Sequence, residues 1–153
     1  MEEQARTPVR GYILDELEVG QTAEIVRTVT AEQIEQFAEA STDHNPLHMD
    51  EDYARTTAFR GRIAHGLLPA SFVSAVVGTQ LPGAGALYLE QTLSFAKPTR
   101  IGDVVTARVR VKSIDRDTAR VTLETTALVN GDVALEGEAL VRVPRRRKGG
   151  GAA

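Results

Sequence analysis

The chain has 153 residues and a mass of 16.5 kDa, which is the size of one domain built around a single hydrophobic core. It contains no cysteine, which excludes disulfide frameworks, thiol nucleophiles and cysteine-ligated metal centres. Leaving out the four cations at positions 145–148 lowers the formal net charge from −3 to −7, and such an acidic body lacks the basic face of a nucleic-acid-binding protein.

The two ends of the chain differ in composition from its middle. Residues 1–12 show no periodicity and predict a loose leader, whose acidic start is unlike a signal or transit peptide. Residues 145–153 are rich in arginine, glycine and alanine and predict a flexible basic tail, which leaves one domain over residues 13–144. The longest apolar run, residues 67–77, is too short to span a bilayer. We therefore expect a soluble, cytoplasmic protein with neither membrane nor nucleic acid as a partner.

The first half of the domain predicts a strand, a helix and a polar turn. Alternating polarity predicts the strand over residues 22–29. Thr30 and Gln33 have the spacing of a capping box, which predicts the start of the helix. The polar segment after the helix predicts a turn, because Pro46 disfavours helical geometry at Asn45.

The remaining elements predict an α+β fold. Asp50 has the chemistry of a cap for a short helix over residues 51–55, and residues 67–78 are apolar on every side, which predicts a buried helix. Alternation then predicts four consecutive antiparallel strands joined by short turns, over residues 86–95, 105–111, 121–129 and 133–143. One face of such a sheet is free to cover the buried helix.

The polar turn contains the first candidate catalytic pair. Asp43 and His48 lie five residues apart, close enough to hold one water molecule between a carboxylate and an imidazole. Both groups can transfer protons near neutral pH. The alternative is structural: Asp43 caps a turn, and His48 satisfies a backbone carbonyl.

A second candidate site lies where the buried helix begins. The backbone N–H of Gly66, following His65, could bind a carbonyl oxygen as an oxyanion hole, because the first N–H groups of a helix lack helical partners. The alternative is a plain glycine N-cap. Ser74 lies on the same helix, where its hydroxyl could simply bond to the preceding turn.

A metal ion is not expected. His44 and His48 have the i, i+4 spacing of a zinc-binding helix, but Pro46 lies between them and breaks the helical geometry that such a site needs.

The stretch from Phe37 to Val111 resembles the MaoC-like (R)-specific enoyl-CoA hydratases, in particular the single-hot-dog hydratases associated with polyhydroxyalkanoate synthesis. The residues that carry the resemblance are Asp43-His44-Asn45-Pro46-Leu47-His48, Thr56-Thr57-Ala58-Phe59, His65-Gly66-Leu67-Leu68, Leu81-Pro82-Gly83 and Leu93-Ser94-Phe95. The resemblance implies a hot-dog fold, in which an antiparallel sheet wraps around a central buried helix.

The resemblance also implies roles for individual residues. Asp43 and His48 would be the catalytic pair, and the N–H of Gly66 would bind the thioester oxygen. Ser74 falls where close relatives have an active-site serine. The residues expected to support the site are Asn45, Pro46 and His65.

The implied reaction is the reversible syn addition of water to trans-2-enoyl-CoA, which gives (R)-3-hydroxyacyl-CoA. No cofactor is implied, because CoA is part of the substrate, and the expected assembly is a homodimer or a dimer of dimers. Lys97 and Arg100, with Arg60 and Arg62, are cations available for the CoA phosphates, although exposure on the surface is the alternative for each.

Other functions remain open. The same chemistry on a different carrier would make the chain a 3-hydroxyacyl-[acyl-carrier-protein] dehydratase. Hot-dog thioesterases and non-catalytic acyl-CoA-binding modules are further alternatives. The end of the acyl pocket is expected at one of four residues, Leu68, Phe72, Leu87 or Leu89.

Overall fold

The structure is a computed structural model, and it describes residues 10–147. Its helices are α1 (Ala31–Ser41), α2 (Pro46–Met49), α3 (Glu51–Arg55) and α4 (Leu67–Thr79), preceded by a short 3-10 turn, Leu14–Glu16. Its strands are β1 (Thr22–Thr28), β2 (Leu87–Gln91), β3 (Ser94–Phe95), β4 (Val104–Asp115), β5 (Arg120–Val129) and β6 (Asp132–Arg142).

Local hydrogen bonds start the helices where the sequence predicts. The Thr30 hydroxyl accepts the Gln33 N–H at 3.1 Å, and the Gln33 side chain accepts the Thr30 N–H at 3.2 Å, which confirms the capping box. The carboxylate of Asp50 accepts the N–H of Tyr53 at 3.0 Å and caps α3. Asn130 and Gly131 adopt φ angles of 51° and 89°, which form the tight turn between β5 and β6.

All strands pair antiparallel in one sheet of order β1-β4-β5-β6-β2, with β3 also on β6. The expectation of four strands in simple succession is wrong for residues 86–95. This segment forms two strands, and both pair with β6, because β4 already has β1 on one side and β5 on the other. Between them, Thr92 exchanges hydrogen bonds with the backbone of Glu138, at 2.9 and 3.0 Å, so the chain follows β6 through the break.

The core lies between the sheet and α4. Helix α4 packs mainly against β4, with further contacts to β5 and β1. The strands meet it with alternate buried side chains, which are Val105, Ala107, Val109 and Val111 of β4 and Val121, Leu123, Ala127 and Val129 of β5. A helix on one face of an antiparallel sheet confirms the predicted α+β hot-dog arrangement.

The expectation that α4 is buried on every side is wrong for the single chain. Leu67, Ser71, Ser74 and Gly78 form an exposed face, because the sheet covers only the opposite side. The Ser71 hydroxyl donates to the Leu68 carbonyl at 2.5 Å, a bond back to the preceding turn.

The expected leader and tail lie mostly outside the described residues. The leader residue Tyr12 donates its N–H to the Pro82 carbonyl at 2.8 Å, and Arg145, at the start of the tail, donates to the Asp117 carbonyl at 2.5 Å. Within residues 10–147, no helix has the length and apolar character needed to cross a membrane.

Candidate active site

Successive hydrogen bonds between residues close in sequence shape the polar turn that leads into α2. The Ser41 hydroxyl accepts the Asp43 N–H at 3.1 Å, and the Asp43 carboxylate accepts the Asn45 N–H at 3.1 Å. The side chain of Asn45 then accepts the Leu47 N–H at 3.0 Å and caps α2, whose first residue is Pro46. The turn therefore ends in one helical turn that presents His48 to the interior.

His48 is held in a defined tautomer. Its side chain is buried, with 8% relative exposure, and Nδ1 donates to the backbone carbonyl of Ile63 at 2.8 Å. Because a carbonyl only accepts, Nδ1 carries the proton and the neutral ring keeps a lone pair on Nε2. Burial lowers the pKa of His48 below its ordinary value of 6.5, opposed in part by the Ile63 hydrogen bond. A neutral imidazole with a free Nε2 is suited to accept a proton.

His65 connects the two candidate sites. Its Nε2 donates to the Asp43 carbonyl at 2.8 Å, and its ring lies 4.1 Å from that of His48 and 4.8 Å from that of Phe37. Side-chain atoms of Asp43, His48 and His65 lie within 4.8 Å of one another, which confirms that the carboxylate and the imidazole of the predicted pair are close. One water molecule fits between groups at this separation.

Gly66 is the N-cap of α4 and borders the same space. Its N–H has no hydrogen-bond partner among residues 10–147. A Cβ atom at this position would lie 2.8 Å from Cε1 of Phe95, so any larger residue here would have to displace this aromatic ring. The site therefore offers a free backbone donor beside a packed apolar surface.

His48 and Gly66 both line one cavity of about 330 Å³. Its wall is largely apolar and comes from Phe59, Ile63, Ala64, Pro69, Phe95, Ala96, Pro98, Thr99, Ala134 and Leu135, with Lys97 as the charged member. The four residues expected to close an acyl pocket, Leu68, Phe72, Leu87 and Leu89, do not line this cavity. A donor N–H and a proton-accepting imidazole that face one apolar space can polarise a carbonyl and move a proton beside it.

The cluster also has to be considered as a metal site. By spacing alone, Asp43, His48 and His65 could each offer one ligand atom to an ion. The guanidinium of Arg62 donates to the His48 carbonyl at 2.6 Å, so a divalent cation here would lie close to a positive charge. This repulsion counts against a divalent cation in the cluster.

Three other predicted residues take no part in the cluster of Asp43, His48 and His65. Ser74 is on the exposed face of α4 and does not line the cavity. Lys97 lines the cavity, but its ammonium pairs with a carboxylate of β6 at 2.9 Å. Arg100 donates to the Phe59 carbonyl at 2.7 Å and lies outside the cavity lining.

Sequence reasoning did not find the contacts made by Ile63, Phe95 and Arg62. Ile63 acts through its backbone carbonyl, and Phe95 through its contact with Gly66. The sequence indicates Arg62 only as a cation for phosphate, whereas the structure places its guanidinium against the backbone of His48. Phe95 is part of a motif that carries the family resemblance, and this was the one available signal.

Most of the chain is similar to known proteins. Residues 16–132 match the model of the MaoC like domain. An (R)-specific enoyl-CoA hydratase of Rhodospirillum rubrum is 49% identical over 135 residues, covering 88% of this chain and 94% of that protein. A 3-hydroxybutyryl-CoA dehydratase of Methylorubrum extorquens is 43% identical over 140 residues, covering 92% of this chain and 89% of that protein.

The fold is also similar to that of a protein of known structure. The (R)-hydratase from Aeromonas caviae involved in PHA biosynthesis superimposes with a TM-score of 0.82 at 45% identity, covering 84% of this chain and 98% of that chain. Each comparison covers most of both proteins, so the similarity belongs to the whole domain and not to one motif.

Proposed function

The chain belongs to the MaoC-like family, and on this basis we propose that it is an (R)-specific enoyl-CoA hydratase, a hydro-lyase that reversibly adds water to trans-2-enoyl-CoA. The observation that carries the proposal is the arrangement in one cavity of His48 with a free Nε2 and Gly66 with a free N–H, beside the carboxylate of Asp43. These groups are what the hydration of an unsaturated thioester requires.

The residues divide the reaction between them. The Gly66 N–H donates to the thioester oxygen, which draws electron density away from C3. Nε2 of His48 takes a proton from a water molecule that the Asp43 carboxylate orients, and the water oxygen bonds to C3. The electrons of the C2=C3 bond move towards the thioester, where the Gly66 donor stabilises the developing negative charge. Nε2 of His48 then gives this proton to C2 on the same face of the double bond, which completes the syn addition of water.

The proposed reaction needs neither a metal ion nor a redox cofactor. Proton transfer and stabilisation of the oxyanion are both assigned to groups of the chain itself. Incubation with EDTA followed by removal of the chelator should leave the hydration rate unchanged, and recovery of a lost rate by added Zn²⁺ would overturn this part of the proposal.

We further propose that a second copy of the chain covers the β2 edge of the sheet. β2 is the last strand in the sheet order, so its outer backbone groups have no strand partner. Leu87 and Phe95 are 57% and 55% exposed, and Leu89 is also exposed on this edge. Unpaired strand edges that carry apolar side chains favour association between copies. Analytical ultracentrifugation should give a dimer or a dimer of dimers that Leu87→Glu with Leu89→Lys dissociates, whereas a monomeric wild type would refute this proposal.

The test of the activity is the hydration of crotonyl-CoA, followed by the loss of enoyl absorbance. Asp43→Asn and His48→Ala should each lower kcat/KM by about 1,000-fold, the range expected for loss of a general acid or base. Asp52→Asn and His44→Ala are matched controls, because both side chains are exposed and neither belongs to the cluster of Asp43, His48 and His65 or to the cavity lining. Both controls should keep the wild-type rate.

Other results would select another function. Near-normal turnover by Asp43→Asn or His48→Ala would contradict the assignment of the pair. Release of free thiol would indicate a thioesterase, and binding of enoyl-CoA without hydration would indicate a non-catalytic module. Turnover of carrier-protein substrates in preference to CoA esters would make the chain an acyl-carrier-protein dehydratase.

A further inference from the structure

We propose that Arg62 is a positioning residue for His48: it fixes the backbone of the imidazole and places a permanent positive charge beside it. This inference rests on the proposed role of His48 as the proton acceptor. It gives Arg62 a function in the interior of the site, in place of a role in binding CoA phosphates.

Two consecutive residues, Arg62 and Ile63, hydrogen-bond to the backbone and to the ring of His48. Nε of Arg62 donates to the His48 carbonyl at 2.6 Å, while the carbonyl of Ile63 accepts Nδ1–H of the imidazole at 2.8 Å. The side chain of Arg62 and the backbone of Ile63 therefore fix the main chain of His48 and its ring together. Rotation of the ring would break the Nδ1 hydrogen bond to Ile63, so the orientation of the imidazole that lines the cavity is fixed.

Arg62 is itself anchored by α3. Its backbone N–H donates to Oε2 of Glu51 at 3.3 Å, and the other carboxylate oxygen of Glu51 pairs with Arg55 at 3.3 Å. The Nη2 atom of Arg62 is buried and has no hydrogen-bond partner within the described part of the chain. The guanidinium is therefore only partly satisfied by hydrogen bonds, and Nη2 carries its share of the positive charge into the interior beside His48.

The charges around His48 act in opposite directions. Burial is the largest influence and lowers the pKa of His48, and the hydrogen bond to Ile63 raises it. Nearby His65 lowers this pKa, the Asp43 carboxylate raises it, and the Arg62 guanidinium, the smallest of the five influences, lowers it. Lys97 lines the same cavity but is neutralised by an ion pair. The positive charge of the Arg62 guanidinium therefore acts in the same direction as burial, against protonation of His48, and it does so from the residue that also holds the His48 backbone.

The experiment is an NMR titration of the histidine rings, which needs no substrate. The chain has three histidines, so each resonance can be assigned by substitution. Arg62→Met removes both the charge and the hydrogen bond and should raise the pKa of His48, with a fall in kcat of about 10- to 100-fold and little change in KM. Arg62→Lys keeps a cation that can reach the His48 carbonyl. This variant should have a His48 pKa and a kcat close to those of the wild type.

Arg55→Gln is the matched control, because Arg55 is an exposed arginine that pairs with the same Glu51 carboxylate as the Arg62 backbone. It should leave the pKa of His48 and the rate unchanged. Should Arg62→Met fail to fold, Arg62→Gln tests the loss of charge while keeping an N–H donor. An unchanged pKa of His48 in the neutral variants, or an equal rise in Arg55→Gln, would overturn the proposal. An inactive wild type whose His48 pKa still responds to Arg62 would instead count against the hydratase function alone.

Discussion

Replacing Gly66 with alanine is expected to disturb the site through one contact that can be measured in the structure. The new Cβ would lie 2.8 Å from Cε1 and 3.0 Å from Cδ1 of Phe95, while ordinary contact begins at 3.4 Å. The ring must therefore move by at least about 0.6 Å. The backbone need not move, because φ and ψ of −56° and −33° at Gly66 are favourable for alanine.

The cost to stability should be smaller than the cost to activity. Phe95 is 55% exposed and lies on the two-residue strand β3, so its ring can yield, and we expect a loss near the low end of the roughly 1–3 kcal/mol typical of overpacking. Phe95 lines the cavity that Gly66 shares with His48, so a displacement of its ring changes the shape of that cavity. Alanine keeps the N–H donor, so kcat/KM should fall by about 10- to 100-fold, less than complete removal of an oxyanion donor would cost.

A double-mutant cycle with Phe95→Ala isolates this contact. In the Phe95→Ala background the space beside Gly66 is open, so Gly66→Ala should lower kcat/KM by less than about threefold, an interaction energy of about 1 kcal/mol or more. Thermal melts of the four proteins give the same cycle for stability without depending on activity. An equal loss from Gly66→Ala in both backgrounds would refute the argument that the aromatic ring transmits the effect.

Two further predictions concern pH and a helix cap. Because burial lowers the pKa of His48, the acid limb of kcat/KM should lie below 6.5, and an acid limb above that value would contradict the assigned environment. His48 binds a proton more readily in the unfolded chain than in the folded one. Its contribution to the free energy of unfolding is therefore present above pH 6.5 and is lost as the pH falls towards the lowered pKa. Chemical denaturation at several pH values would show this loss. Thr30→Ala removes the cap of α1 and should cost about 1 kcal/mol, or roughly 2–4 °C in Tm, with kcat/KM unchanged. A melt that matches the wild type would show that the cap contributes nothing.

The sequence by itself determined the features that depend on near neighbours along the chain. The capping box of Thr30 and Gln33, the turn before Pro46 and the alternation of β4 and β5 all arise within a few residues, so their signals are local. The candidate pair was also visible, because Asp43 and His48 lie within one turn whose hydrogen bonds connect adjacent residues. Family resemblance added the reaction to these local signals.

Only the tertiary structure decided how distant segments meet. Residues 86–95 run along β6 because both sides of β4 are occupied, and no local periodicity reports which edge is free. The open face of α4 has the same origin, since an apolar sequence shows that a helix can be buried but not what covers it.

The chemical state of the site was also decided by long-range contacts. The tautomer of His48 follows from a carbonyl 15 residues away, and the link from His65 to Asp43 spans 22 residues. Backbone carbonyls are common to all residue types, so such partners leave no mark in the sequence. The sequence therefore named the groups able to carry the chemistry, and the packing of the loop before α4 determined which nitrogen of His48 is free to perform it.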